Sequence, residues 1–299
     1  MRTGTPRISI GSAINTLIRY GVLIAIALSF PGAMITAASS QEQSTNTSAA
    51  FRDLKEIIAE GRLRIAFTGF DLPGFRTKGA DGSFVGPEAE LATDLAKKLN
   101  LKLVHVNGGP TFNSLAKTVA DGNADIGISR MSASFDRAPY VRFSQPYAKL
   151  RHAMVYNRAV VARLAMGGNP EDAVRSFTGR IGAIEASSYV EFAEANFPNA
   201  TIVGVKSWDA GVLALKEGKV DAIYRDEFEV RRVLERNPDM GVAFGSAIFT
   251  DKVDLKVVYI CNSCANLQQL VNLYIEINQE SLARAMSANA LLKNARERP

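Results

Sequence analysis

Short apolar runs alternate with amphipathic stretches along most of the chain. The runs 63–67 and 101–106 have the length and composition of buried strands, and 88–99 repeats leucine at every fourth position, as one helix face does. The same reasoning predicts further strands at 180–184, 201–205 and 253–260 and further helices at 51–60, 112–121, 189–196, 208–217, 267–277 and 281–296. Alternation of strand and helix is typical of α/β proteins with mostly parallel sheets, so we expect that fold class.

One helix–turn–strand unit occurs twice in the sequence. Residues 119–128 and 215–224 each contain, in order, a helix end, an acidic residue, a glycine, two further residues, an aspartate and an apolar strand. Two copies of one unit predict two lobes of like topology. Both predicted strands end in polar residues, the first in 129–137 and the second in Arg225 and Asp226. Open α/β sheets bind ligands at the carboxyl ends of their strands, so we expect a ligand cleft between the lobes.

Arg137 is the residue of the first polar stretch best suited to hold an anion. We expect Ser134 to cap a short helix with Asp136 in its first turn, which would place Arg137 beside free backbone N–H groups. A guanidinium presents a planar fork that matches a carboxylate. The alternative is an ordinary surface arginine paired with Asp136 or Glu88.

The first forty residues differ in composition from the rest of the chain. Their only charges are three arginines, an apolar core spans 21–30, and small residues follow. This layout predicts a secretory signal peptide over 1–38 and a periplasmic protein, with an uncut membrane anchor as the alternative. The net charge of +5 then belongs largely to the leader, so it gives no argument for nucleic-acid binding.

The predicted organisation follows from the leader and the repeated unit. It consists of a signal peptide at 1–38, a tether and leading helix at 39–60, a first lobe at 61–153, a second lobe at 154–251 and a return to the first lobe at 252–299. Segments 151–158 and 253–260 flank the second copy of the unit, as two crossings of a hinge would. We therefore expect the lobes to be joined by two strands.

Cys261 and Cys264 are the only cysteines, in a C-x-x-C spacing. In an exported chain an even count favours a disulfide, with free thiols or a redox-active pair as alternatives. The two histidines, His105 and His152, lie far from the cysteines in sequence, so we expect neither a metal site nor a cofactor. The sequence contains no catalytic triad pattern or phosphate loop, and we expect no enzymatic activity.

The chain from 63 to 299 resembles the type 2 periplasmic solute-binding proteins, in particular the family-3 bacterial extracellular group that binds amino acids and other polar solutes. The motifs that carry the resemblance are LRIAF, DGSFVGPEAELATDLAKKL, DGNADIGI, MSASFDRAPYVRFSQPY, GRIGAIEASS and EGKVDAIYRDEFEV. The resemblance implies a monomer of two α/β lobes that closes on a small carboxylated ligand by hinge bending. It also implies a membrane permease of an ABC transporter as the partner.

The resemblance further implies roles for individual residues. Arg137 takes the position of the arginine that holds the ligand α-carboxylate, with Ser132 assisting, and Asp226 takes the position that binds the α-amino group. The other positions implied to contact the ligand are Thr68, at the end of the first strand, and Ser187 and Ser188, on a turn of the second lobe.

Two arginines depart from the pattern of amino-acid binders. Arg130 stands where these proteins usually have glycine, and Arg225 directly precedes Asp226. Two extra guanidiniums lead to the hypothesis of a second acidic group on the ligand, as in an acidic amino acid or a dicarboxylate. The alternative is that Arg130 points outward or pairs with Asp125 or Asp136.

Two other functions have to be weighed against solute transport. A few proteins of this fold are dehydratases of cyclic acids such as prephenate or arogenate, and Glu185 and Asp226 are the candidate acids for such a reaction. Alternatively, the chain is a ligand-sensing domain whose partner is a signalling receptor.

Overall fold

A computed structural model of the chain describes residues 51–297, so the predicted signal peptide and most of the tether lie outside the described residues. The helices are α1 (Leu54–Glu60), α2 (Pro87–Lys98), α3 (Phe112–Ala120), α4 (Arg158–Ala165), α5 (Pro170–Arg175), α6 (Ser188–Asn196), α7 (Trp208–Lys216), α8 (Glu227–Arg236), α9 (Ala265–Ile277), α10 (Gln279–Ala285) and α11 (Ala288–Glu297). The strands are β1 (Arg62–Phe67), β2 (Thr77–Lys78), β3 (Phe84–Val85), β4 (Lys102–Asn107), β5 (Ile126–Gly127), β6 (Val141–Phe143), β7 (Ala148–Asn157), β8 (Arg180–Ile184), β9 (Thr201–Val205), β10 (Ala222–Asp226), β11 (Phe244–Lys256) and β12 (Tyr259–Cys261). Within 51–297, no helix combines the length and the apolar character that crossing a membrane requires.

Two five-stranded sheets form the centres of two α/β lobes. In lobe 1 the strand order is β4-β1-β5-β12-β6, with β1 parallel to both of its neighbours. In lobe 2 the order is β11-β7-β10-β8-β9, with β8 parallel to β9 and β10. Helices pack against each sheet, and buried apolar side chains fill the space between them. The predicted α/β class with two lobes is confirmed.

Two long antiparallel strands, β7 and β11, carry the chain between the lobes. Their ladder runs from the Phe244–Asn157 pair to the Lys256–Ala148 pair and is interrupted by an irregularity between Phe249 and Val253. The single strand predicted at 253–260 was wrong, because β11 ends at Lys256 and a separate strand β12 enters the sheet of lobe 1. The predicted helix at 281–296 is likewise split into α10 and α11.

The repeated unit has the same structure in both lobes. Gly122 and Gly218 follow the helix ends with φ of +75° and +69°, a left-handed conformation that glycine adopts without strain. Asp125 accepts a hydrogen bond of 2.7 Å from the backbone N–H of Arg64, and Asp221 accepts one of 2.9 Å from that of Arg180. In each lobe the aspartate therefore fixes the start of a neighbouring parallel strand.

The segment that precedes α1 is attached to lobe 1. Arg52 forms a buried ion pair with Asp125, and Asp53 caps α1 while also accepting hydrogen bonds from the backbone N–H groups of Asn266 and Leu267 at the start of α9. At the other end, α11 buries its leucines in the core of the same lobe. Both ends of the described chain thus belong to lobe 1.

A disulfide joins Cys261 and Cys264 in the turn between β12 and α9. Both half-cystines are buried in the core of lobe 1. Of the three alternatives raised by the C-x-x-C spacing, the structure therefore contains the bonded pair.

Candidate ligand-binding site

Charged side chains are buried between the two lobes. Arg130 and Arg137 follow β5 of lobe 1, whereas Arg225, Asp226 and Glu229 come from β10 and α8 of lobe 2, and all five are buried. A charge removed from water must be paired or hydrogen bonded, or its burial costs several kcal/mol. The partners of these five groups therefore show which charges the protein itself neutralises and which are left for a ligand.

Arg137 contacts both lobes, and all of its partners are neutral. Its Nη1 donates to the Ser188 hydroxyl at 2.7 Å and to the Tyr259 hydroxyl at 3.1 Å, and its Nη2 donates to Asn113 Oδ1 at 2.8 Å. None of the ion pairs within residues 51–297 includes it. The alternative of a surface arginine paired with Asp136 or Glu88 is wrong, because Arg137 is buried and bonded to other side chains.

The helix predicted after Ser134 does not form. Residues 135–140 make successive turns, since Pro139 disfavours helical backbone at the residue before it. The Ser134 hydroxyl is buried without a partner in the described part of the chain, and it caps nothing. The backbone N–H groups of Phe135 and Asp136 donate instead to the carboxylate of Glu191 on α6, at 2.9 and 3.4 Å. A lobe 2 carboxylate thus binds the N–H groups that were expected to face a ligand.

Arg130 links the two lobes through an ion pair. Its Nη1 donates to Glu229 Oε1 at 2.7 Å, its Nε lies 4.0 Å from Asp226 Oδ2, and its guanidinium lies 5.1 Å from the ring centre of Phe75. Its φ of +52° is a left-handed conformation, which is uncommon for a residue other than glycine. Arg130 therefore neither points outward nor pairs with Asp125 or Asp136, as the alternative proposed.

Asp226 has one oxygen engaged and one unpaired. It is the N-cap of α8, where one carboxylate oxygen accepts a hydrogen bond of 3.0 Å from the backbone N–H of Glu229, while Oδ2 has no partner in the described residues. Burial raises the pKa of Asp226, although Arg130 and Lys256 oppose the rise. Arg225 Nε lies 3.9 Å from Oδ2, beyond hydrogen-bond distance.

Ser132 belongs to a buried hydrogen-bond network that includes two residues of the hinge strand β11. Its hydroxyl donates to Asp254 Oδ2 at 3.1 Å and accepts from Lys256 Nζ at 3.1 Å, and the Tyr189 hydroxyl donates to the same aspartate oxygen at 2.7 Å. Burial opposes ionisation of Asp254, yet its ion pair with Lys256 holds the pKa of this carboxyl below its usual value. The network ties the predicted ligand residue Ser132 to the hinge.

Thr68 and Ser187 make hydrogen bonds that shape their own loops. The Thr68 backbone N–H donates to the Ser129 hydroxyl at 2.9 Å, and its own hydroxyl accepts from Arg76 Nη2 at 3.2 Å. Ser187 caps α6 and donates to the Ile184 carbonyl at 2.6 Å. Thr68 lies buried at the end of β1, and Ser187 precedes the residue that Arg137 contacts.

Two cavities, each of about 380 Å³, lie along the interface between the lobes. The first is bordered by Arg137 with Asn113, Ser134, Ser187, Ser188 and Glu191. The second is bordered by Arg130 and Arg225 with Phe70, Phe112, Trp208 and Glu229. Volumes of this size suit a small organic solute. Of the predicted ligand residues, Arg137, Ser187 and Ser188 border the first cavity and Arg130 and Arg225 the second. Thr68, Ser132 and Asp226 border neither.

Sequence reasoning did not identify several charged members of the site. Glu229 stands three residues after Asp226, the spacing of a capping box, which could have indicated that Asp226 begins a helix. Asp254 and Lys256 are two residues apart on a strand and face inward, while Leu255 between them is exposed. The alternation of charged and apolar residues at 254–256 could have indicated two charged side chains on the buried face of the strand. We missed this because we assigned 253–260 as one apolar strand.

Comparison with known proteins finds a family match over part of the chain. Residues 63–162 match the model of the bacterial extracellular solute-binding proteins, family 3. The match covers about a third of the 299-residue chain. The matched segment contains β1 except its first residue, the repeated unit of lobe 1 and the whole stretch from Arg130 to Arg137. The resemblance noted from the sequence motifs is therefore confirmed.

Individual relatives include both binding proteins and an enzyme. The chain is 27% identical over 175 residues to ABC transporter arginine-binding protein 1 of Escherichia coli (strain K12), covering 57% of this chain and 66% of that one, just under two thirds. It is also 27% identical over 210 residues to the cyclohexadienyl dehydratase of Pseudomonas aeruginosa, covering 70% and 72% of the two chains.

A solved structure of another protein, superposed over nearly all of its own length, supports the fold. An amino acid ABC transporter substrate-binding protein from Streptococcus pneumoniae, bound to L-arginine, superposes with a TM-score of 0.63 at 24% identity. The superposition covers 81% of this chain and 99% of that chain. The likeness shows that this chain has the two-lobed binding-protein fold.

Proposed function

We propose that this protein is a family-3 solute-binding protein, which is exported and captures a small carboxylated solute by hinge closure, delivering it to the permease of an ABC transporter. The family match and the arginine-binding relative support a solute-binding role. The two strands β7 and β11 supply the hinge, and the side chains between the lobes supply contacts from both sides. A ligand that contacts side chains of both lobes stabilises the closed state, because those contacts are lost when the lobes separate.

Arg137 is the observation that carries this proposal. It is a buried guanidinium without a carboxylate partner in 51–297, and its hydrogen bonds to Asn113, Ser188 and Tyr259 fix its orientation. Hydroxyl and amide oxygens satisfy its donors only weakly compared with an anion. A ligand carboxylate could therefore bind Arg137 by replacing neutral hydrogen-bond partners, without breaking an ion pair of this arginine.

The test is isothermal titration of amino acids and dicarboxylates against the protein and two arginine variants. Arg137→Met is expected to weaken binding of every carboxylated solute at least about 100-fold, the loss of two charge-assisted hydrogen bonds. Arg142→Met is the matched control, because Arg142 lies in the same lobe and bonds Asn262 and Gln268 instead. Unchanged affinity in Arg137→Met would show that this arginine does not bind the ligand.

A second candidate function is a dehydratase, and Asp226 is the observation that favours it. A buried carboxyl whose pKa is raised can hold a proton for a leaving hydroxyl group, and the relative from Pseudomonas aeruginosa is a cyclohexadienyl dehydratase. Glu185, the other acid considered, pairs with Lys206 and is partly exposed. Turnover of prephenate by the purified protein, abolished in Asp226→Asn, would establish this function in place of solute capture.

A further inference from the structure

The Asp226 carboxyl, at the position that the family resemblance assigns to a ligand amino group, is surrounded by cations of the protein itself. It is fully buried, with Arg130 Nε 4.0 Å and Arg225 Nε 3.9 Å from its Oδ2. Lys256 adds a third positive charge, which together with that of Arg130 lowers the pKa of this carboxyl against the effect of burial. The charge of Asp226 is therefore compensated before any solute is bound.

The buried atoms without a hydrogen bond at this carboxyl complement one another. Within residues 51–297, two such donors, Arg130 Nε and Arg225 Nε, each lie at 4.0 Å or less from one such acceptor, Asp226 Oδ2. Opposite charges at this separation attract strongly in a buried site, although the distance exceeds that of a hydrogen bond. A ligand ammonium that approached Asp226 would therefore meet two guanidiniums of its own sign.

The other buried carboxylates between the lobes also have cationic partners. Glu229 pairs with Arg130 at 2.7 Å and with Arg232 at 2.9 Å. Asp254 pairs with Lys256 on the hinge strand β11. An ammonium could use either carboxylate only by displacing a cation of the protein, and a displaced buried cation is costly.

The cavity at Arg137 is bordered by three further carboxylates, and none of them has a buried oxygen without a partner in the described part of the chain. Asp121 pairs with Lys117 at 2.8 Å, and Glu191 accepts backbone hydrogen bonds from lobe 1 with both oxygens. Asp136 is exposed, where water and salt screen its charge. A carboxylate at Arg137 displaces only neutral groups, so the cleft favours the acid group of a solute over an ammonium.

We infer that Arg130 and Arg225 set the specificity of the cleft against amino acids, and that the captured solute is a carboxylate without an ammonium group, such as a 2-hydroxy or 2-oxo acid. This inference rests on the proposed function, in which Arg137 holds the carboxylate of the solute. The two arginines neutralise Asp226 and so remove the position at which an α-amino group would bind. In this assignment they compensate a carboxylate of the protein and contact no second acidic group of the ligand.

Aromatic rings stabilise both arginines at Asp226. Each guanidinium lies 5.1–5.8 Å from two ring centres, those of Phe75 and Phe228 for Arg130 and those of Phe112 and Tyr189 for Arg225. Such contacts favour a cation over a neutral group. A guanidinium only donates hydrogen bonds, as an ammonium does, whereas a hydroxyl or oxo oxygen can accept them. The oxygen of a hydroxy or oxo acid is therefore compatible with these neighbours, and the ammonium of an amino acid is not.

The test uses pairs of solutes that differ only at the α-carbon. L-Lactate and L-alanine, L-3-phenyllactate and L-phenylalanine, and L-2-hydroxyglutarate and L-glutamate each differ by a hydroxyl in place of an ammonium. In isothermal titration of the purified protein, the hydroxy acid is expected to bind at least about tenfold more tightly in every pair that binds. A general loss of affinity weakens both members of a pair alike, so the ratio reports recognition at the α-carbon.

Two variants should change this ratio, and a third should not. Arg225→Met removes one guanidinium from Asp226 and should shift the ratio toward the amino acid about tenfold. Arg130→Gly should shift it in the same direction, and glycine adopts the left-handed conformation at this position without strain. Arg175→Met is the matched control, because this exposed arginine of lobe 2 pairs with Asp251 instead.

The outcomes separate this inference from the proposed function. An amino acid that binds at least as tightly as its hydroxy acid, with binding still dependent on Arg137, would overturn the inference and leave solute capture intact. A ratio that stays the same in both Arg225→Met and Arg130→Gly would show that these arginines do not set the specificity. Failure of all six solutes to bind would overturn the proposed function and the inference together.

Discussion

The ion pair between Arg130 and Glu229 joins the lobes and is open to direct perturbation. Its side chains are 1% and 5% exposed, and its N–O distance is 2.7 Å. Removing one partner of a buried pair costs about 3–5 kcal/mol. In Glu229→Gln the nearby Asp226, 4.0 Å from Arg130 Nε, still offsets part of the charge, so we expect a loss of about 2–3 kcal/mol.

In the proposed hinge closure this energy acts mainly on the closed state, because the pair joins residues of different lobes. A loss of about 2–3 kcal/mol shifts the ratio of closed to open molecules by roughly 30- to 150-fold. The measurement is the radius of gyration without added solute, by small-angle X-ray scattering, together with solute affinity. Glu229→Gln should be the more extended protein and should bind solute more weakly, since the ligand then has to supply more of the closing energy.

Arg232 provides the matched control for this experiment. It bonds Glu229 at 2.9 Å from within the same helix, α8, so its removal disturbs the carboxylate without breaking a contact between lobes. Arg232→Gln should therefore leave the radius of gyration unchanged. A Glu229→Gln protein with the dimensions and affinity of the unmodified chain would refute the role of this pair in closure.

Two further predictions concern stability. Burial lowers the pKa of His152 below its usual 6.5, so the unfolded chain binds a proton more readily, and the free energy of unfolding should fall as pH drops below that value. Urea unfolding at about pH 7.5 and about pH 5.5 should show a smaller difference in His152→Gln than in the unmodified chain, and equal differences would contradict the reasoning. Gly86→Ala should destabilise by about 1–3 kcal/mol, because φ there is +113° and the new Cβ would lie 2.5 Å from the Phe75 carbonyl oxygen. Thermal unfolding measures this loss, and Gly167→Ala, which meets no neighbouring atom although its φ is also positive, separates the clash from the conformational cost.

The repeated unit shows why the fold could be predicted from the sequence. Its glycine and aspartate act locally: Gly122 and Gly218 permit the left-handed turn, and Asp125 and Asp221 bond a strand that begins nearby in the sheet. Such requirements depend on residue type and spacing, both of which are visible in a sequence. Two copies were therefore enough to indicate two lobes. Most predicted helices were right to within a few residues, but the helix after Ser134 does not form, 281–296 is split, and α4, α5 and α8 were not predicted.

The pairing of charges across the cleft could not be predicted in the same way. The distance between Arg130 and Glu229 along the chain is 99 residues, and their contact depends on how the lobes come together. Sequence spacing carries no information on that approach. The partners of Arg137 come likewise from three separate elements, with Asn113 on α3, Ser188 on α6 and Tyr259 on β12.

Both ends of the described residues, 51 and 297, belong to lobe 1, and this has a practical consequence. The residues between β7 and β11 form one continuous insertion, which the chain enters along β7 and leaves along β11. The first and last described residues, Phe51 and Glu297, lie far from this insertion in sequence. A protein immobilised through a residue of lobe 1 would keep lobe 1 fixed and leave lobe 2 to move in the proposed hinge closure. A dye placed on lobe 2, for example at the exposed Val242, would then convert solute capture into an optical signal.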